Sequence, residues 1–254
     1  MELIKEEIMQ RVLEAAQTDG PSKIKDLKKY IGTGHDLTGL STPAQKVIFK
    51  AGFSFSKLPV KQQLDTWCYL WQKSGHFETM NLAQMFVSKN LPIFDTAFLW
   101  DITKSWVNEV DNWAHSDGLS SIYSRLLAKE PELVYEQYER WNVSPNPWER
   151  RQSVVGLCYY SSLKRRNMPF EKLAAMVKPM IIDEDYFVQK GLGWTLREMG
   201  KIYPAETLAF ITEHISWIPP VAFTAAIEKL DADCKNQLKM LRKDRKKGRL
   251  SSAY

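Results

Sequence analysis

Apolar side chains recur along this chain three and four positions apart, in blocks of roughly 10 to 17 residues divided by Gly, Pro, Ser and Asp. That spacing puts them on one face of a helix. The first block covers residues 1–18, with Leu3, Ile4, Ile8 and Leu13 inward; Asp19, Gly20, Pro21 and Ser22 end it, and Ser22 is a candidate cap for a short helix to Tyr30. Pro43 sits where a first turn accepts it, with Ser41 or Thr42 as the cap of a helix to Gly52. Further helices are predicted over 59–74, 78–89, 94–101, 103–115, 119–128, 131–138, 148–164, 169–177, 183–199, 204–215, 220–230 and 231–241. No apolar run alternates with the period of a strand. The expected fold is therefore all-α. Helix pairs recur every 35 to 45 residues or so, in the range of HEAT-like repeats. Antiparallel pairs of that kind stack into a superhelical α-solenoid whose concave face suits a long partner. Residues 1–234 are expected to form one such domain, and residues 235–254 a basic C-terminal helix end and tail. An irregular all-helical domain is the alternative, because no crisp internal repeat is visible.

One stretch stands out within this pattern. Ser105 to Asp117 reads SWVNEVDNWAHSD. Trp106, Val110, Trp113 and Asp117 follow at intervals of four, three and four, and on a continuous helix they share a face. A carboxylate that continues an aromatic stripe is unusual, since an unpaired buried carboxylate costs several kcal/mol. Either Asp117 is the polar end of a core helix or the stripe opens into a site.

Composition changes this picture only in places. The 254 residues are 44% hydrophobic, enough for a full core. The net charge is +5, but Lys235 to Tyr254 holds eight basic residues against one acidic residue, so the body is close to neutral. Global charge argues only weakly for a polyanion partner. Nine tryptophans exceed what core packing ordinarily needs. Cys68, Cys158 and Cys234 lie far apart without metal-ligand spacing, which fits a reducing compartment. The charged N-terminal block is not a signal peptide and no apolar run approaches a membrane span, so a cytoplasmic protein without membrane attachment is expected.

Two more clusters combine Trp with ionisable groups. Arg150 and Arg151 follow Trp148 at the opening of a helix, where the dipole repels them and favours a nearby carboxylate or an external anion. In QKGLGWTLREMG, residues 189–200, Trp194 and Arg197 share a face, and Gly191 and Gly193 each cost a helix about 1 kcal/mol. That cost is tolerable where another backbone approaches, either a phosphodiester or a neighbouring helix. The structural readings are ordinary: Trp-Asp as core plus cap, the arginines as surface ion pairs. His35, His76, His115 and His214 are scattered and make no metal motif, and no serine sits in a nucleophile elbow. The segment IGTGHDLTGLSTP after Tyr30 is rich in turns and lacks a phosphate-loop pattern. A polyanion-binding surface and a protein scaffold both remain open on these residues.

Several of these segments resemble the AlkD-type DNA alkylation repair glycosylases, built from HEAT-like repeats. YFVQKGLGWTLREMG, residues 186–200, is the most specific; NPWERRQSVV resembles the family's arginine-containing helix, and GLSTPAQKVIFK its early glycine-and-proline motif. His76, Phe77 and Glu78 resemble a His-x-Glu element. The family's Trp and catalytic Asp, four residues apart, match Trp113 and Asp117; an earlier register would use Asp111, with Val107 at the Trp position. The resemblance implies hydrolysis of the N-glycosidic bond of cationic N3- or N7-alkylated purines in double-stranded DNA, by a monomer without metal or cofactor. Asp117 is then the expected catalytic carboxylate. Trp113, Trp194, Arg150, Arg151, Arg197 and Lys190 are the expected DNA and lesion contacts, and His115, Asp111 and Glu78 lesser candidates. A catalytically weak member that binds damaged or branched DNA is the alternative.

Overall fold

The computed structural model describes residues 1–20, 26–158 and 168–251, without the side chains of 246, 247 and 249–251. The candidate cap Ser22 and the end of the helix predicted over 148–164 lie outside the described residues. The all-α class is observed: the described residues hold no strand, only an isolated bridge between Asp36 and His76. None of their helices is long and apolar enough to cross a membrane. The chain divides into two compact units, Met1–Ile122 and Tyr123–Tyr254.

The first unit contains α1 (Glu2–Asp19), α2 (Leu27–Ile31), α3 (Thr42–Ala51), α4 (Val60–Lys73), α5 (Phe77–Asn90), α6 (Thr96–Thr103) and the start of α7 (Trp113–Lys129). Local chemistry sets several of these ends. The Ser41 side chain accepts from the Ala44 amide with Pro in the first turn of α3, and Asp95 caps α6 in the same way. α4 and α5 pack as a pair around Leu64, Trp67, Met80 and Phe86, all buried. Five of the nine tryptophans are core residues: Trp67, Trp71, Trp100, Trp106 and Trp141. The Trp71 and Trp106 rings stack at 4.7 Å, and Trp71 Nε1 donates to the Trp106 carbonyl. The Trp count thus reflects packing more than a binding surface.

The helix predicted over 103–115 does not form, and this corrects the stripe. α6 ends at Thr103, a 3₁₀ helix runs Lys104–Glu109, Val110 is extended, and α7 starts afresh at Trp113. Small polar side chains compete for the backbone here. Ser105 Oγ donates to the Ile102 carbonyl, and Asn112 Oδ1 accepts from the His115 amide at 2.9 Å, capping the new helix. Trp106 and Val110 therefore do not share a helix face with Trp113 and Asp117. Those two lie in the first turns of α7, not late in a central helix.

The second unit is built around α11 (Tyr186–Ile202), which packs on α9 (Pro147–Cys158) and α13 (Pro220–Ala226); α8 (Pro131–Asn142), α10 (Phe170–Val177) and α12 (Pro204–His214) complete the layer. Val188, Leu192, Leu196 and Met199 of α11 meet Val154, Val155, Ala222 and Phe223 in one buried cluster. The two costly glycines serve these contacts. A Cβ at Gly193 would lie 2.4 Å from the Ala222 carbonyl oxygen, and one at Gly191 would lie 3.1 Å from Arg151 Nη1 and Val155 Cγ2. The neighbour that needs Gly193 is a helix of this chain. Gly193→Ala, a change that favours an ordinary helix by roughly 1 kcal/mol, is accordingly expected to destabilise by about 1–3 kcal/mol, read as a lowered Tm.

The basic C-terminal segment is α14 (Ala232–Ser251). Its first turns belong to the second unit: Leu238 is buried, and Arg242 donates to the Ile215 and Ile218 carbonyls with its guanidinium 4.4 Å over Phe223. Arg245 donates to the Thr212 carbonyl. Arg242 and Arg245 thus help to close the end of α12.

Candidate active site

Asp111 is a half-buried carboxylate of the first unit held by several donors. It lies in the break between the 3₁₀ helix and α7, where its side chain reaches the loop after α2. Oδ1 accepts from Thr33 Oγ1 at 2.8 Å and from Asn112 Nδ2 at 2.8 Å; Oδ2 accepts from the Gly34 amide at 2.6 Å. Burial disfavours its charge, but these donors and nearby His35 outweigh that and hold its carboxyl below the usual range. Even so, 35% of the side chain is open to solvent. Asp111 is thus an ionised group with fixed orientation and one open side.

The His35 ring lies beside it, and an aromatic pair follows at the start of α7. Trp113 is half-buried; its Nε1 donates to the Tyr30 carbonyl at 3.1 Å, and Tyr30 meets its ring edge-on at 5.7 Å. Tyr30 is 58% exposed. His35 Nε2 lies 3.2 Å from the Glu109 carbonyl and 3.5 Å from Asp111 Oδ1.

His115 is buried under this site and stacks on Phe77 at 4.5 Å. Its Nδ1 accepts from Asn112 Nδ2 and its Nε2 donates to the Phe77 carbonyl, and burial pushes its pKa down to about 4, so the ring stays neutral. Ligand atoms of His35, Asp111 and His115 come within 4.8 Å of one another. With both nitrogens committed, His115 has no lone pair to offer a cation, and the trio reads as a hydrogen-bond network.

Glu78 is fully buried. Its Oε1 accepts from the Gly39 amide at 2.7 Å and the Leu40 amide at 3.1 Å, and its Oε2 from the Thr38 amide at 3.2 Å. His76 Nε2 lies 3.3 Å from it. Glu78 therefore anchors the loop that carries Thr33 to Leu40 and is closed to a ligand. Asp117, in the second turn of α7, is half-buried and lies one turn from Trp113. Beside it, Gly118 lets Gln84 pack close and donate to the His115 carbonyl at 2.8 Å.

The remaining predicted contacts belong to the second unit. Arg150 pairs with Asp183 at 2.6 Å and donates to the Ser144 and Pro145 carbonyls. The helix-start arginine has found a carboxylate of its own chain. Arg151 is buried and donates to the Phe187 carbonyl at 2.7 Å. Arg197 bridges Glu198 and Glu228. Trp194 is half-buried and packs against the hydrophobic cluster around α11. Lys190 is exposed, its ammonium 5.8 Å from the centre of the Tyr186 ring.

A model of one protein family, described as DNA alkylation repair enzyme, matches residues 9–230. The chain belongs to this family of DNA alkylation repair enzymes. No curated protein matches the repair-family chain. A solved structure described as a predicted DNA alkylation repair enzyme from Enterococcus faecalis is similar at a TM-score of 0.64 and 17% identity, covering 84% of this chain and 99% of its own. That likeness establishes the helical fold.

The residues that sequence reasoning missed in this repair-family member are Tyr30, Thr33, Gly34, His35 and Asn112. Only one local signal pointed to them: Asn three positions before His115 is a helix-start pattern. The contact from Asp111 to Gly34 spans 77 positions, beyond the reach of any periodicity.

Proposed function

We propose that this protein hydrolyses the N-glycosidic bond of cationic N3- or N7-alkylated purines in duplex DNA, with Asp111 as the carboxylate that faces the developing charge. An alkylated purine is already a good leaving group, so the transition state concentrates positive charge on the sugar. A fixed anion in a partly dehydrated site stabilises that charge without reorganising. The observation that carries this reading is Asp111 itself: three donors hold it, its pKa is lowered, and a third of its side chain stays open. Trp113, two residues along, and exposed Tyr30, which meets it edge-on, supply rings on which a nucleotide can pack.

Asp117 matches the Trp-x-x-x-Asp spacing and remains the second candidate. Asp111 is placed first because contacts from three other residues set its orientation while part of its side chain stays open. Backbone contacts are assigned to the exposed cations, Lys190 and the α14 lysines Lys239 and Lys243. Arg150 and Arg197 already have carboxylate partners.

The test is release of 7-methylguanine from methylated duplex DNA, with duplex binding measured across a salt series. Release above the enzyme-free rate is expected, together with binding that weakens linearly in log[salt]. Binding with that salt dependence but no base release would replace this reading with a damage-binding one.

A further inference from the structure

We propose that His35 is the general base of the hydrolysis, oriented by Asp111 and Glu109; this rests on the glycosylase reading above. The two ring nitrogens of His35 have different surroundings. Nε2 faces the Glu109 carbonyl, which only accepts, so Nε2 carries the hydrogen. Asp111 Oδ1, 3.5 Å from the same nitrogen, adds a negative charge on that side. Nδ1 is then the unprotonated nitrogen. It makes no hydrogen bond among the described residues and is not one of their fully buried, partnerless polar atoms, so it is open to water. The ring keeps 19% of its side chain exposed. A carboxylate beside the protonated nitrogen of an imidazole whose other nitrogen is free is the arrangement that activates nucleophiles in hydrolases.

The ring is held as a base should be. The His35 amide donates to Thr33 Oγ1 at 3.1 Å, and Thr33 Oγ1 donates to Asp111, so loop and carboxylate move as one piece. Asp111, His115 and His76 are charged or titratable groups that interact with the ring. Asp111 faces it from the α7 side. His115, its ring 5.9 Å away, stays neutral. His76 has Glu78 against it and Asp36 nearby, and burial outweighs them and lowers its pKa.

In the step, the water oxygen bonds to C1′ as the bond from C1′ to the purine nitrogen breaks. The electron pair of that bond moves onto the purine and discharges its positive charge. One water proton passes to Nδ1. Positive charge leaves the sugar and arrives on His35, and Asp111 is close enough to stabilise it in both places.

The experiment is the pH profile of 7-methylguanine release, with the enzyme-free rate subtracted, compared with titration of the His35 ring by NMR. Wild type should lose activity towards acid pH with an apparent pKa matching the ring. His35→Gln, whose amide can still donate to Glu109, should lose the acid limb and about 10²-fold of the plateau rate, while duplex binding persists. A wild-type acid limb that does not follow the ring titration overturns the proposal without any variant. So does a His35→Gln protein with an unchanged profile, and in both cases the glycosylase reading stands. A wild type that releases no base removes both.

Discussion

Asp111→Asn is expected to lower base release by roughly 10²- to 10³-fold, the usual consequence of removing one preorganised electrostatic group, while leaving duplex affinity within a few-fold. The substitution keeps volume and a carbonyl oxygen for Thr33 or Gly34 but removes the charge. Three donors now converge on the carboxylate, so an amide must turn its NH₂ towards one of them, and the loop will loosen slightly. Asp117→Asn, measured in parallel, is expected to change release only a few-fold. The reverse result, with Asp117→Asn inactive and Asp111→Asn active, would return the carboxylate role to Asp117. Linkage gives a second readout. Because the folded-state pKa of Asp111 is depressed, its contribution to stability is present above the ordinary carboxylate pKa. It disappears as pH falls through the lowered value. A thermal-shift series into acid should show that decline in wild type and a smaller one in Asp111→Asn.

Glu78→Ala is expected to cost about 3–5 kcal/mol of stability, because it strips a fully buried, charged acceptor from three backbone amides at once and leaves a cavity in its place. The amides of Thr38, Gly39 and Leu40 lose their partner together. His76 loses the carboxylate beside it as well. A Tm drop on the order of 10 °C should follow. Base release should fall even well below that Tm, since the loop tied down by Glu78 begins at Thr33 and presents His35 to Asp111. Glu78→Gln, with one acceptor oxygen kept, should fall between wild type and Glu78→Ala. An unchanged Tm in Glu78→Ala would mean that the loop is held by its contacts with Asp111 and with Gly75 and Phe77 alone.

Helix content and most helix ends were legible along the chain. Ser41 with Pro43, Pro131, Pro147, Pro204 and Pro220 mark starts that the structure keeps, since caps and ring constraints act within one turn. The family was legible too, through the segments around Trp148 and Trp194. Other features depended on partners far away in the chain. Trp106 belonged to a periodic stripe in the sequence, yet Asn112 and Ser105 broke the helix and turned it into the core beside Trp71. Gly193 was open to either a phosphodiester or a helix until Ala222 was found against it. Arg150 and Arg197 looked available for phosphates until Asp183 and Glu228 reached them. The proposed choice of Asp111 rests on contacts of the same kind. Spacing singles out Asp117, because period and interval are properties of neighbours. Asp111 is singled out by donors from a loop 77 and 78 positions away, and hydrogen bonds and burial of that range exist only once the chain has folded.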